Sequence, residues 1–340
     1  MEFKIEEETL KKSLFGGALA LMTFLVPMIL AEAGIRLGAS RLMIYDMEMY
    51  KYAKELKRPS PIASLGHEHI PNASAHLMGV DVSLNDLGFR DREVAPLKKN
   101  EYRILAVGSS ITMGWGVDFE SVFTEVLERR LSESGIFGKG TRVEVVNSGI
   151  GNYNTKLESI AFPGHFSQVE PDLVILHYFL RDAEEIPPKR QGFLLSRSYF
   201  AAFIYLRWQQ AVSRVKEVRI GDYYRGLYND ESKGWKDAQE AVLEMRRISR
   251  SKGAEFMVVV QPDLHDFSVN SPQSECHEII KGFLSNNGIP FVDLLGRFRA
   301  EIKDPAKVWV SPDDAHPNAH GHRLISDGIY EALRKTKQGR

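Results

Sequence analysis

Ser110 stands on the turn Gly108-Ser109-Ser110, directly after the apolar run Ile104-Leu105-Ala106-Val107. Near the other end the chain reads Ser311-Pro312-Asp313-Asp314-Ala315-His316-Pro317-Asn318. A serine hydroxyl becomes a competent nucleophile only when a base takes its proton, and an imidazole base needs an acid to hold its tautomer. Ser110, Asp313 and His316 supply those three groups in the order Ser, Asp, His. Asp313, three residues before His316, is the expected orienter. Gly-Ser-Ser alone is common at strand-to-helix turns, so it gains its weight from the late loop. A phosphate loop fits poorly, because the Gly-Lys-Ser/Thr ending is missing. His320 and His322 follow His316, but no cysteine or carboxylate pattern accompanies them to make a metal site. His67 and His69, two apart in a polar stretch, are read as solvated. The expected chemistry is acyl transfer through serine, without cofactor or metal.

Such groups must be brought together by a scaffold, and from Tyr102 onward the pattern supplies one. Arg103–Val107, Val143–Val146, Leu173–Leu176, Phe256–Val260 and Pro290–Val292 read as five buried strands, apolar and bounded by turn residues. Between them Ser121–Glu133, Thr155–Phe166, Trp235–Ser251 and Ser274–Asn286 have helical spacing, and Asn318–Arg334 closes the chain as a helix. Strands alternating with helices imply an α/β fold with a doubly wound, flavodoxin-like parallel sheet of five strands. Ligands in such sheets bind at the carboxyl ends of the strands, and Ser110 falls three residues past the first of them. The alternation lapses over residues 187–224, a basic and aromatic stretch that would serve as a lid or a membrane-facing helix, or simply pack on the sheet.

The bulk numbers narrow the class. Hydrophobic residues make up 43% and charged ones 26%, which is globular composition with length enough for a real core. A net charge of -1 argues against nucleic acid as a partner, because neutralising phosphates needs a basic surface. Cys276 stands alone, which excludes an intrachain disulfide. From Ser13 to Ala31 there is no charged residue, a run long enough to cross a hydrocarbon core of about 30 Å. The sequence therefore divides into a tail (1–12), a single-pass membrane anchor (13–36), a stalk and surface-lying lead-in (37–100) and a catalytic domain (101–340). A cleaved signal peptide ending at Ala31-Glu32-Ala33 is the competing reading. Lys11-Lys12 before the apolar run favours a cytoplasmic N-terminus and an extracytoplasmic domain.

Four blocks, in order and spacing, resemble the SGNH or GDSL-type hydrolases and O-acyltransferases over roughly Tyr102 to Leu333. They are Val107 to Gly116, with Ser110; Val146-Asn147-Ser148-Gly149-Ile150-Gly151-Asn152-Tyr153-Asn154-Thr155; Pro171 to Leu176 running into Leu180-Arg181-Asp182; and Asp313 to Asn318. The resemblance implies Ser110 as nucleophile, His316 as base and Asp313 as orienter. It implies an oxyanion hole from the Ser110 amide, an amide at Gly151 or Asn152, and a side-chain donor at Arg181. The substrate would be an acylated small molecule, glycan or lipid. Transfer onto a surface polysaccharide, or a weakly catalytic carbohydrate- or lipid-binding scaffold, are the alternatives. Ser109, Asn152 and Arg181 depart from the family's Asp, Gly and Asn. Arg181 matters most, since losing one oxyanion donor typically costs about 10²–10³ in turnover.

Overall fold

The computed structural model describes residues 2–96, 100–186, 197–214 and 220–338. Helix α1 (Glu2–Leu42) contains Ser13–Gly38, a stretch of 26 residues long and apolar enough to cross a membrane. Its side chains there are largely exposed. Helix α2 (Tyr45–Glu55) follows. The chain forms two compact units, Met1–Tyr50 with Arg190–Lys216, and Lys51–Lys189 with Glu217–Arg340.

The larger unit is built on five parallel strands: β1 (Glu101–Gly108), β2 (Arg142–Asn147), β3 (Leu173–Phe179), β4 (Glu255–Gln261) and β5 (Phe291–Asp293). Their spatial order is β2-β1-β3-β4-β5. The chain starts in the second strand position and winds both ways from it, which puts a topological switch point beside β1. Pairing of Ala106 with Asn147, Gly108 with His177, Phe179 with Gln261 and Val260 with Asp293 aligns the carboxyl ends along one edge.

The connections are α3 (Ser110–Met113) and α4 (Phe123–Ser134) after β1, and α5 (Thr155–Val169) after β2. After β3 come α6 (Tyr199–Arg214), which belongs to the smaller unit, then α7 (Ile220–Leu227) and α8 (Lys233–Ser251). Helices α9 (Gln273–Asn286), α10 (Leu295–Glu301) and α11 (Ala319–Gln338) complete the unit.

Strand alternation sorts the core into two layers. Leu105, Val107, Val174, Leu176, Val258 and Val260 face α5, α8 and α9, whereas Ile104, Ala106, Ile175, Met257 and Val259 face α4, α10 and α11. All five strands lie where the apolar runs put them.

Residues 51–96 depart from the surface-lying lead-in that the sequence suggests. They cluster with the larger unit, and Tyr52, Leu56, His69, Leu77, Phe89 and Arg90 are buried. Their turn-formers were a poor guide, because here the turns fold polar side chains inward onto backbone partners.

In the smaller unit, Glu32 ties α1 to the first turn of α6. Its carboxylate accepts from the amides of Tyr199 (3.0 Å) and Phe200 (2.8 Å) and from the Ser198 hydroxyl (2.8 Å), and it pairs with Arg36 at 2.7 Å. Ile35, Ile44 and Met47 pack against Tyr199, Phe203 and Leu206. Of the stretch 187–224, residues 187–196 and 215–219 lie outside the described residues, Tyr199–Arg214 forms α6 and Ile220 begins α7.

Candidate active site

β1 delivers Ser110 to the carboxyl edge through a turn that only glycine can make. A Cβ on Gly108 would lie 2.1 Å from Thr112 Oγ1 and 3.2 Å from the His177 carbonyl oxygen. Ser110 opens α3, and its Oγ lies 2.8 Å from His316 Nε2. His316 comes from a short antiparallel hairpin, Trp309–Ser311 with Asp314–Pro317.

The carboxylate on the imidazole is Asp314, not Asp313. His316 Nδ1 donates to Asp314 Oδ1 at 2.5 Å, and Asp313 instead accepts from the Ser311 hydroxyl at 2.6 Å. The reason is local. Asp314 to Pro317 is extended, so residues two apart share a face and neighbours do not. Asp314 also accepts from the His316 amide (3.1 Å) and from Trp115 Nε1 (2.8 Å). Burial by itself would raise this carboxyl, but the His316 ring, the His316 amide and Trp115 together hold it below the usual carboxylate range. An ionised Asp314 fixes the proton on Nδ1 and leaves Nε2 free to accept the Ser110 proton.

The loop after β2 lies flat on α3. The Ile150 amide donates to the Gly108 carbonyl at 3.0 Å, and a Cβ on Gly149 would meet the Met113 nitrogen at 2.3 Å. Of the two amides expected at the oxyanion, that of Gly151 is already used, donating to Tyr52 Oη at 2.8 Å. The Asn152 amide has no partner among the described residues. Asn152 takes a left-handed φ of 67°, which asparagine tolerates better than most residues.

The third expected donor is also engaged. Arg181 Nε donates to Glu184 Oε1 at 2.5 Å, and the Tyr223 hydroxyl donates to the same carboxylate. The neighbouring Asp182 accepts instead from the Phe179 amide and Thr155 Oγ1, both at 3.0 Å.

Residues 51–96 supply contacts that sequence reasoning missed. The Tyr52 hydroxyl donates to His69 Nε2 (2.6 Å), and His69 Nδ1 donates to the Gly88 carbonyl (2.8 Å). His67 Nε2 donates to the Gly151 carbonyl at 3.1 Å. Both histidines were expected in solvent. Instead burial, the main cause in each, lowers His69 to about 3 and His67 to about 4, so both are neutral donors and acceptors. Their signal was the i, i+2 spacing on what proves to be a strand, His67–His69. Arg90 is buried and donates to the carbonyls of Met113 (3.3 Å), Gly114 (2.5 Å) and Val117 (2.7 Å), pinning the loop that carries Trp115.

The GDSL-like lipase/acylhydrolase family matches residues 106–324, more than half of the chain. The chain belongs to that family. As a GDSL-like protein it is a hydrolase of esters with the SGNH fold. Similar solved structures include TesA (14% identity, 68% of this chain and 98% of that one, TM-score 0.43). A catalytic mutant of the acetylxylan esterase Axe2 from Geobacillus stearothermophilus is also similar (12% identity, 68% and 94%, TM-score 0.44). So is the psychrotrophic esterase EstA from Pseudoalteromonas sp. (11% identity, 69% and 98%, TM-score 0.43). Comparison with curated proteins gave no match.

One feature below the GDSL-like site titrates. Glu158 is buried with neither carboxylate oxygen hydrogen-bonded. Burial first, and the neighbouring Asp182 second, raise it well above its ordinary 4.5, and burial likewise pushes Asp182 up to about 7. A carboxyl raised in the folded state binds more protons there than when unfolded, so stability falls as pH climbs from its ordinary value through the raised one. Glu158→Gln removes that dependence. From pH 5 upward the variant should gain on the wild type by about 1.4 kcal/mol per pH unit within that window. Urea unfolding at pH 5 and pH 7 measures it, and parallel pH profiles would refute it.

Proposed function

We propose that this GDSL-like protein hydrolyses an acyl ester through a Ser110 acyl-enzyme, with His316 as proton carrier and Asp314 as its orienter. The observation that carries this reading is the unbroken line from Ser110 Oγ through His316 Nε2 and Nδ1 to Asp314 Oδ1. Ser110 Oγ gives its proton to Nε2 as it bonds to the ester carbonyl carbon. The resulting oxyanion is met by the amides of Ser110 and Asn152. When the carbon–oxygen bond to the leaving group breaks, His316 passes the proton to the departing alkoxide. A water molecule then loses its proton to Nε2, attacks the acyl carbon, and the collapse returns Ser110 and releases the acid. The asparagine-to-arginine change at residue 181 weakens neither of these amides.

The reading includes the anchor. Cleavage after Ala33 would remove Glu32, whose carboxylate caps α6, and so would unpick the smaller unit; this supports a retained α1. Lys11-Lys12 before the span supports an extracytoplasmic hydrolase unit.

One experiment tests both parts. Membranes carrying the full chain are treated with a fluorophosphonate, and the labelled polypeptide is weighed by mass spectrometry. Label on Ser110, absent after Ser110→Ala, with residues 1–31 still attached, is the expected result. An unlabelled wild type ends the catalytic reading, and a labelled protein lacking residues 1–31 ends the anchor.

A further inference from the structure

The oxyanion site lacks the side-chain donor its family would place at residue 181, because Arg181 is committed to Glu184. Asn154 cannot substitute. Its Nδ2 donates to the Glu184 carbonyl at 2.6 Å, and its Oδ1 caps α5 by accepting from the Leu157 amide at 3.1 Å. Asn152 differs from both. Its side chain is exposed, it stands two residues beyond the Ile150 amide that is bonded to Gly108, and its Oδ1 is held by Lys57 Nζ at 2.6 Å.

Lys57 carries only donors, so the carboxamide must present its oxygen to the ammonium and turn its Nδ2 the other way. That Nδ2 has no partner among the described residues. Lys57 itself is steadied by the Tyr52 ring, whose centroid lies 4.1 Å from Nζ, and Tyr52 in turn meets Trp115 edge to face at 5.6 Å. Trp115 is the residue that donates to Asp314.

Among the described residues no carboxylate stands within ion-pair distance of Lys57, whose Nζ is met by the Asn152 oxygen and the Tyr52 ring. A half-buried cation that meets only an amide and a ring is a poor stabiliser of the fold.

We propose that Lys57 is a positioning residue of the oxyanion turn: its ammonium fixes the Asn152 carboxamide, whose Nδ2 donates to the oxyanion in place of the missing block-three side chain. This rests on the Ser110 acyl-enzyme reading.

The test is a double-substitution cycle on the full chain in detergent, with a p-nitrophenyl ester and fluorophosphonate labelling run in parallel. Asn152→Gly keeps the backbone amide and suits the left-handed φ. It should lower kcat about 10²-fold with KM little changed. Lys57→Met should lower kcat at least about tenfold, again with KM little changed. In the Asn152→Gly background Lys57→Met should cost nothing further, because the group it acts through is gone. A purely structural lysine would instead lower the melting temperature and leave kcat alone.

A labelled, active wild type in which Lys57→Met keeps kcat within twofold, or loses as much with Asn152→Gly as without it, overturns this role alone. An unlabelled wild type overturns the esterase reading and this role with it.

Discussion

Asp314→Asn should reduce kcat about 10⁴-fold, the size of loss expected when an imidazole base is left in the wrong tautomer. The neighbouring Asp313→Asn should change kcat by less than about twofold. The two carboxylates are adjacent in sequence and chemically identical, so the contrast isolates geometry. Asp314 takes three hydrogen bonds, from the His316 ring, the His316 amide and Trp115, whereas Asp313 takes one from the Ser311 hydroxyl. An asparagine at residue 314 offers either an amide donor or a carbonyl acceptor to Nδ1, and nothing compels the proton to stay there. Ester turnover and fluorophosphonate labelling rates for the two variants decide it. Equal losses, or a larger loss at residue 313, would mean that the hairpin is set differently in the working enzyme.

Arg90→Met should destabilise the hydrolase unit by about 3–5 kcal/mol and abolish most of its turnover. The guanidinium is buried, and burial lowers it only to about 10, so it remains charged near neutral pH. It serves the carbonyls of Met113, Gly114 and Val117 and, at 3.4 Å, that of Asp81; methionine would remove all four donors, leaving Gly114 only the Val117 amide at 3.2 Å. Each unserved buried carbonyl costs about 1–3 kcal/mol. The loop they belong to carries Trp115, so Asp314 would lose its third hydrogen bond as well. Denaturant unfolding gives the stability term. Turnover of the fraction still folded separates loss of positioning from loss of protein; full activity per folded molecule would show that Arg90 only holds the fold.

Both residues bear on what could be learned before any coordinates. The central strands were legible because they bury both faces and so leave an uninterrupted apolar run, as in Leu173–Leu176. Ser110 and His316 were legible because a glycine turn at a strand end and a histidine before proline are few in the chain. Asp314 was not, because the choice between two adjacent acids depends on whether their segment is coiled or extended, and the short hairpin is held by tertiary pairing rather than by its own propensity. Tyr52, Lys57, His69 and Arg90 were hidden for a related reason. Each is polar, and nothing local distinguishes a polar group in water from one aimed at a partner distant in sequence. The Arg181–Glu184 pair has the three-residue spacing of a tight helical turn, a signal present in the sequence and overlooked there.

The inward-folded run from residue 51 to residue 96 also fixes an order of events. It is synthesised before β1, yet Arg90 has no carbonyls to serve until Met113, Gly114 and Val117 exist, and Tyr52 cannot meet the Gly151 amide until the ribosome has passed β2. The earliest-made part of the hydrolase unit must therefore wait, with its cations and imidazoles still in water, and close over the nascent sheet afterwards. The serine centre is complete only when this early segment and the late hairpin that carries His316 have both reached the sheet.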